Sequence, residues 1–338
     1  MDDTTDACRC RCYSLRAMVL LFLLIALIRP VALHAQDAWV SRISKALDRM
    51  ASGYYQPEVR AAFGAFTYGY TGLGSSFSRF LEEALTRAVT GSKRVRLFAR
   101  HAVQAMDASY REVYREYFQT AEADALLYGR FSVAEGGSGT GVSLHLELAS
   151  LSTGELLGAA DLLIPITAVP PDISLAPPGL TQAENLRSSL SDLLAAADGD
   201  LVVQAASDRG ENPVYRLGEN LQLHVFVNHD AYLKVYHVDV AGKTQLIYPN
   251  RFQPDNRVAG GAFVRIPERH DPFQFRLGPP FGAEFIKVVA STRQFSDVEA
   301  DFSELEGSAR QAISRGLTVV ASDAESAETL LAYTIVEK

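Results

Sequence analysis

The chain reads as an α+β protein built from two folded units, and three observations predict this. Its 338 residues exceed an ordinary single domain. Residues 59–165 alternate strand-like and helix-like apolar spacing in the order β-α-β-α-β-β-β, which predicts an α/β layer unit with two helices over one face of a mixed sheet. After a proline-rich stretch at 166–200 the pattern turns to short strands separated by turns, which predicts an Ig-like antiparallel β-sandwich over 201–338. A hydrophobic content of 48% with 21% charged residues is ordinary for a folded chain.

Ahead of these units stands a leader, expected over residues 1–35. Arg9, Arg11 and Arg16 precede an unbroken apolar run at 17–28, and Ala35 ends a short segment suited to cleavage, although Leu33 occupies a position usually held by a small residue. The run is shorter than the roughly 20 residues of a spanning helix. A cleaved export signal is the first reading and an uncleaved anchor the second; Met18 is an alternative start. All three cysteines, Cys8, Cys10 and Cys12, lie before the run. The mature chain therefore has no disulfide, thiol nucleophile or cysteine metal site, and no cysteine for lipid attachment. The formal charge of −8 becomes −9 when the four Arg and three Asp of residues 1–35 are removed. An acidic exported chain is a poor partner for nucleic acid or anionic lipid.

Residues 36–58 form an amphipathic lead segment. Trp39, Val40, Ile43, Leu47 and Met50 recur at helical steps over 37–50, and Gly53 and Pro57 end the helix. A strand follows at 59–70, broken by Gly72 and Gly74. Ser75 or Ser76 then caps a helix whose apolar face is Phe77, Leu81, Ala84, Leu85 and Ala88. A strand at 94–100, a helix marked by Val103, Met106, Tyr110, Val113 and Tyr117, and a strand at 126–134 come next. Val142, Leu144, Leu146 and Leu148 alternate with polar residues in the clearest half-buried strand. Loops at 136–141 and 152–154 flank it, and a returning strand spans 155–164. The linker carries Pro170, Pro171, Pro177 and Pro178 and a helix that Thr181 can cap.

Seven strands are expected in the last unit, at 201–206, 221–228, 231–239, 243–248, 257–266, 272–277 and 284–291. Those at 221–228 and 231–239 read as a hairpin across Asn228, His229 and Asp230, with Leu223, Val225, Leu233 and Val235 facing in. Ala241-Gly242-Lys243 makes the next hairpin turn. A helix around 302–315 and strands at 317–321 and 331–336 close the chain.

The chemistry-bearing residues are few. Gly72-Leu-Gly74-Ser-Ser joins a strand to a helix start, where a phosphate can sit, but it is not a complete nucleotide fingerprint; a structural turn is the simpler reading. His224, His229, His237 and Asp239 are close in sequence, yet alternation turns His237 inward with Leu233 and Val235 and turns His224 outward, which opposes a shared metal site. Asp198 and Asp200 lack the rest of a calcium loop. Glu82 and Glu83 do not face each other on a helix. Tyr232 and Tyr236 share one strand face with Lys234 between them. With Tyr248, Phe252, Asn250 and Arg251 they are the candidate partner-binding residues, an aromatic and hydrogen-bonding surface for a protein or glycan. The alternative is that they cover a second core layer or pack on the other unit.

Two resemblances rest on these residues. Tyr215, Gly218-Glu219, the run 230–239, Gly242, the run 246–250, Asn256, Ala259-Gly260, Ile266-Pro267 and the run 282–291 together resemble the bacterial family called domain of unknown function 4384 (DUF4384), which brings no known reaction. The 63–70 strand, the 76–90 helix and the runs 125–131 and 148–154 resemble envelope proteins related to the curli secretion component, the flagellar FlgO-type proteins and the amino-terminal domain of TolB. That resemblance implies an assembly or accessory role. The expectation is a non-enzymatic exported protein acting through protein contacts in the periplasm, with no cofactor, no metal and no nucleic acid. Any membrane contact would run through an uncleaved leader. A small-ligand sensor is the second reading and a metal-dependent hydrolase the third.

Overall fold

In the computed structural model, residues 38–97, 123–134, 141–192, 194, 199–295, 304–305 and 325–337 are described. The expected leader at 1–35 with its cysteines, the helix at 103–117, the strand at 317–321 and the loop at 136–140 lie outside them.

Among the described residues the chain is a mixed α+β protein. Helix α1 spans 38–50. Strand β1 (Val59–Tyr68), helix α2 (Ser76–Gly91) and strands β2 (Val95–Leu97), β3 (Ala125–Ala134), β4 (Gly141–Ser150) and β5 (Leu156–Pro165) follow. One five-stranded sheet runs β2-β1-β3-β4-β5. β1 is parallel to β2 and β3, and the β3-β4-β5 meander is antiparallel. The alternation in β4 does what its sequence dictates: Val142, Leu144, Leu146 and Leu148 are fully buried. They meet the apolar stripe of α2 (Phe77, Leu81, Ala84, Leu85, Ala88) and that of α1 (Trp39, Ile43, Leu47, Met50) in one core. Each Val, Leu, Ile, Phe or Met among them contributes about 1.5–3 kcal/mol on burial. Ser75 starts α2: its hydroxyl accepts from the Phe77 amide, and the Ser78 hydroxyl accepts from the Ser75 amide.

The proline-rich stretch touches the first core at a few points. Val169, Ile173 and Leu175 lie against the first core. Helix α3 (Leu180–Ser191) begins at Gly179 in the left-handed region, φ 63°, and not at Thr181.

The remaining strands are β6 (Val203–Ser207), β7 (Val214–Arg216), β8 (Asn220–Leu221), β9 (Leu223–Val227), β10 (Ala231–Val238) and β11 (Thr244–Tyr248). They continue with β12 (Arg257–Val258), β13 (Phe263–Ile266), β14 (Phe275–Arg276), β15 (Gly282–Ser291), β16 (Glu304–Leu305) and β17 (Ser326–Val336). A seven-stranded sheet runs β16-β11-β10-β15-β17-β7, with β12 beside β10; a three-stranded sheet runs β13-β9-β6, and β14 pairs β8. Leu223, Val225 and Val227 of the smaller sheet and Leu233, Val235, Ile286 and Val288 of the larger share one core.

Three expectations are corrected here. The hairpin at 221–239 does not form: β9 pairs with β13 and β6, whereas β10 pairs with β11, β12 and β15. The bend between them crosses from one sheet to the other. Asn228 pins it by accepting from the Val202 amide and donating to the Asp200 carbonyl, and Asp230 by accepting from the Gly260 amide. The run at 257–266 is split into β12 and β13, in different sheets, by a turn through Gly261, φ 79°. Inside the helix expected at 302–315, Glu304 and Leu305 pair with β11 as strand; the rest of that segment lies outside the described residues.

Candidate functional site

The face of β10 carrying Tyr232, Lys234 and Tyr236 is closed. Tyr236 is 3% exposed and lies with Val238, Leu246, Phe285 and Val289 beneath Ala183 and Leu190 of α3, with Tyr232 and Leu186 at the margin. Tyr248 is buried in the core between the sheets and its hydroxyl donates to the Asp255 carbonyl. Asn250 is buried, donating to the Ile247 carbonyl and accepting from the Phe252 and Gln253 amides. Tyr236, Tyr248 and Asn250 are therefore buried rather than on a surface: Tyr248 lies between the sheets, Asn250 in its own turn, and Tyr236 in a second core layer. The reason is α3, which brings its own apolar residues to that face. Phe252, 40% exposed, reaches the surface.

The histidines do not converge. His224, expected to face outward, is 3% exposed, because β9 is buried on both sides. His237 shares the face of Leu233 and Val235, and His229 is in the bend. Among the described residues no group of three or more His, Cys, Asp or Glu side chains is arranged to hold a metal ion. The Gly72–Ser76 loop is filled from within: Leu73 is fully buried and the start of α2 is satisfied by its own serines.

An open cleft of about 480 Å³ lies elsewhere, between the outer face of the first sheet and the turn at 209–212. Its floor is a β-bulge. Phe63 pairs with Leu127 and Phe66 with Gly129, so Gly64 and Ala65 together oppose Tyr128. A Cβ on Gly64 would stand 3.0 Å from that of Tyr128, so glycine keeps the floor low. At the mouth stands Tyr70, 89% exposed, with the Arg130 guanidinium 5.0 Å from its ring centre. The opposite wall is Arg209, Gly210, Glu211 and Asn212. Arg209 is held by Glu219 at 2.6 Å and lies 4.6 Å over the Tyr215 ring.

Behind the mouth runs a polar network along β3, β4 and β5. The Tyr128 hydroxyl donates to Glu147 at 2.6 Å, and Arg130 reaches Glu147 at 3.3 Å. His145 bridges Glu147 at 2.9 Å and Asp161 at 2.7 Å. The Tyr128 hydrogen bond outweighs burial and, with His145 and Arg130, holds the Glu147 carboxyl below the usual range. Burial and the same carboxylate push Tyr128 up to about 12. Glu147 is thus a carboxylate saturated by three partners, and Tyr128 a neutral donor already in use. Such a network stiffens the cleft. Sequence reading missed Tyr70, Tyr128, Arg130 and Glu147 because they occupy the outward positions of alternating strands and a turn, which read as solvent face. Their signal was Tyr and Arg at adjacent outward positions of β3.

Residues 214–294 match the family described as Domain of unknown function (DUF4384). The resemblance read from the sequence holds for that segment. No curated protein matches the chain. Among solved structures, the LpoB C-terminal domain from Salmonella enterica is similar at 13% identity and TM-score 0.24, covering 36% of this chain and 94% of that one. TolB from Acinetobacter baumannii is similar at 12% identity and TM-score 0.22, over 70% of this chain and 58% of TolB's length.

Proposed function

We propose that this is an exported, non-enzymatic accessory protein of the cell envelope that grips a protein partner at the 480 Å³ cleft. In this reading residues 59–165 are an α/β layer unit, 201–338 an Ig-like sandwich and 166–200 the connection between them. The leader pattern at 1–35 supports export to the periplasm. The observation that carries the partner reading is the Tyr70–Arg130 stack. An aromatic ring 89% exposed, steadied by an arginine at the lip of an apolar-floored cleft, is the residue pair found at interface hot spots. Isolated exposed apolar residues are common, but this one is held in place and flanks a concavity.

The test is capture from envelope extracts with the purified protein and with a Tyr70→Ala/Arg130→Ala variant. The variant keeps its fold, because Tyr70 is exposed and the Arg130–Glu147 pair is a surface one contributing about 0–1 kcal/mol. A stoichiometric partner is expected with the native chain, bound about tenfold or more weakly by the variant. Equal capture by both proteins, or no stoichiometric partner, overturns the proposal.

A further inference from the structure

A second cavity, of about 320 Å³, opens at one end of the core between the two sheets of the second half. Its lining is mostly apolar, with Phe275, Leu277, Pro279, Pro280, Ile286 and Ile335, and it also carries Asp239, Gln245 and Arg276. Into it is set one short chain of polar groups. Tyr333, 2% exposed, donates its hydroxyl to Glu284 Oε2 at 2.5 Å. The same Oε2 is 2.8 Å from Nε2 of His237. The imidazole stacks on the Tyr333 ring at 6.5 Å and 23°, and it forms part of the cavity wall.

The hydrogen-bond directions settle which imidazole nitrogen does what. As a carboxylate Glu284 only accepts, from Tyr333 and from His237 alike, which puts the imidazole hydrogen on Nε2. In the neutral ring Nδ1 is then the acceptor, and which nitrogen carries the proton is fixed from behind. No hydrogen bond ties Nδ1 to the described residues. Glu284 and Tyr333 are both buried, so the ring is held in one orientation. The result is a mostly apolar pocket in which one oriented imidazole acceptor stands among a few polar groups. A largely apolar lining with a few placed polar groups is what small-molecule sites use.

We infer that this cavity binds a small aromatic molecule carrying one N–H or O–H donor, with the donor on Nδ1 of His237 and the ring between Phe275 and the Pro279–Pro280 segment. Phe, Pro and stacked imidazole surfaces suit a planar apolar body. An oriented acceptor rejects an analogue that cannot donate, because the lone pair would then be desolvated without a partner. The site is separate from the cleft at Tyr70: the two share no lining residue. Neither proposal depends on the other.

The probe is indole, and its control is 1-methylindole, which has the same body without the N–H. Both are titrated into the purified full chain, with affinities followed by nuclear magnetic resonance. Indole is expected to bind about tenfold more tightly, the value of one good hydrogen bond. His237→Phe should keep the stacked ring, remove the acceptor and make the two probes equal. Phe275→Ala, on the rim, should weaken both probes by the same factor while leaving their ratio intact; it also serves as the test if His237→Phe fails to fold. Equal binding of the two probes to the native chain, no binding of either, or a ratio that survives His237→Phe overturns the inference.

Discussion

At the scale of the residue, the sharpest consequence concerns His224. It sits on β9 opposite Arg265 of β13 and is almost wholly buried. Burial, helped by the Arg265 charge, pushes its pKa down from 6.5 to about 3. In the unfolded chain the same imidazole titrates at its ordinary value. Below that value the unfolded state takes up a proton that the folded state refuses. Stability is therefore complete above about pH 6.5 and is lost as the pH falls toward about 3, at up to about 1.4 kcal/mol per pH unit. His224→Gln should flatten this part of the stability profile, measured by denaturant unfolding between pH 7 and 4. A profile as steep in the variant as in the native chain would assign the acid sensitivity to other groups. Lys287 and Glu328 form a buried ion pair, 2.9 Å apart with both side chains at or below 1% exposure. Removing one member of such a pair strands the other.

At the scale of the element, the seating of α1 on the first sheet turns on one glycine. Gly158 of β5 faces the end of α1, and a Cβ there would stand 2.6 Å from the Met50 Cα and 2.7 Å from its carbonyl oxygen. Both neighbours are backbone and cannot swing aside. Gly158→Ala should force the helix off the sheet and cost about 1–3 kcal/mol. Gly53→Ala, where nothing lies within 4 Å, should cost nothing of the kind. Equal melting temperatures for the two variants would show that α1 is not seated on β5 as described. Elements of this sort are where the sequence was most legible. The β4 alternation and the α2 stripe each have one apolar face, so period and burial agree. Legibility failed where both faces are apolar. β9 and β10 carry apolar side chains in and out, so periodicity could not tell a hairpin from a crossing between sheets; the Asn228 and Asp230 side-chain bonds decide it. It failed also for Tyr232 and Tyr236, since their cover, α3, comes from a segment read as a semi-rigid linker with a helix, whose packing partner no local pattern names. His237 was placed on the correct face, but Glu284 and Tyr333 lie 47 and 49 residues along the pairings from their partners, beyond any local pattern.

At the scale of the whole molecule, the two halves are joined by more than their covalent connection. Leu73, from the loop between β1 and α2, is fully buried in the core beneath α3, beside Ala183, Leu190, Phe285 and Ala332. Around it run polar ties: Arg79 of α2 to Glu219 at 3.6 Å, Glu83 to Arg216 at 2.7 Å, and Arg187 of α3 to the Thr71 carbonyl. The Glu83–Arg216 pair is 54% and 40% exposed, so it contributes about 0–1 kcal/mol. The apolar plug therefore carries most of the coupling. Gly72, at φ 67°, lets the loop turn sharply enough to deliver the side chain, and a Cβ on Gly74 would clash with the Val214 side chain. Leu73→Ala should cost about 2–5 kcal/mol. It should also change the form of unfolding. The native chain is expected to melt in one calorimetric transition, because the plug makes the cores open together. The variant should show two, with the half that contains α3 and β10 melting first, since that is the core left with the cavity. A single transition in Leu73→Ala at merely lower temperature would mean that the polar ties hold the halves together unaided. Two transitions already present in the native chain would mean that Leu73 fills a core without joining it to its neighbour.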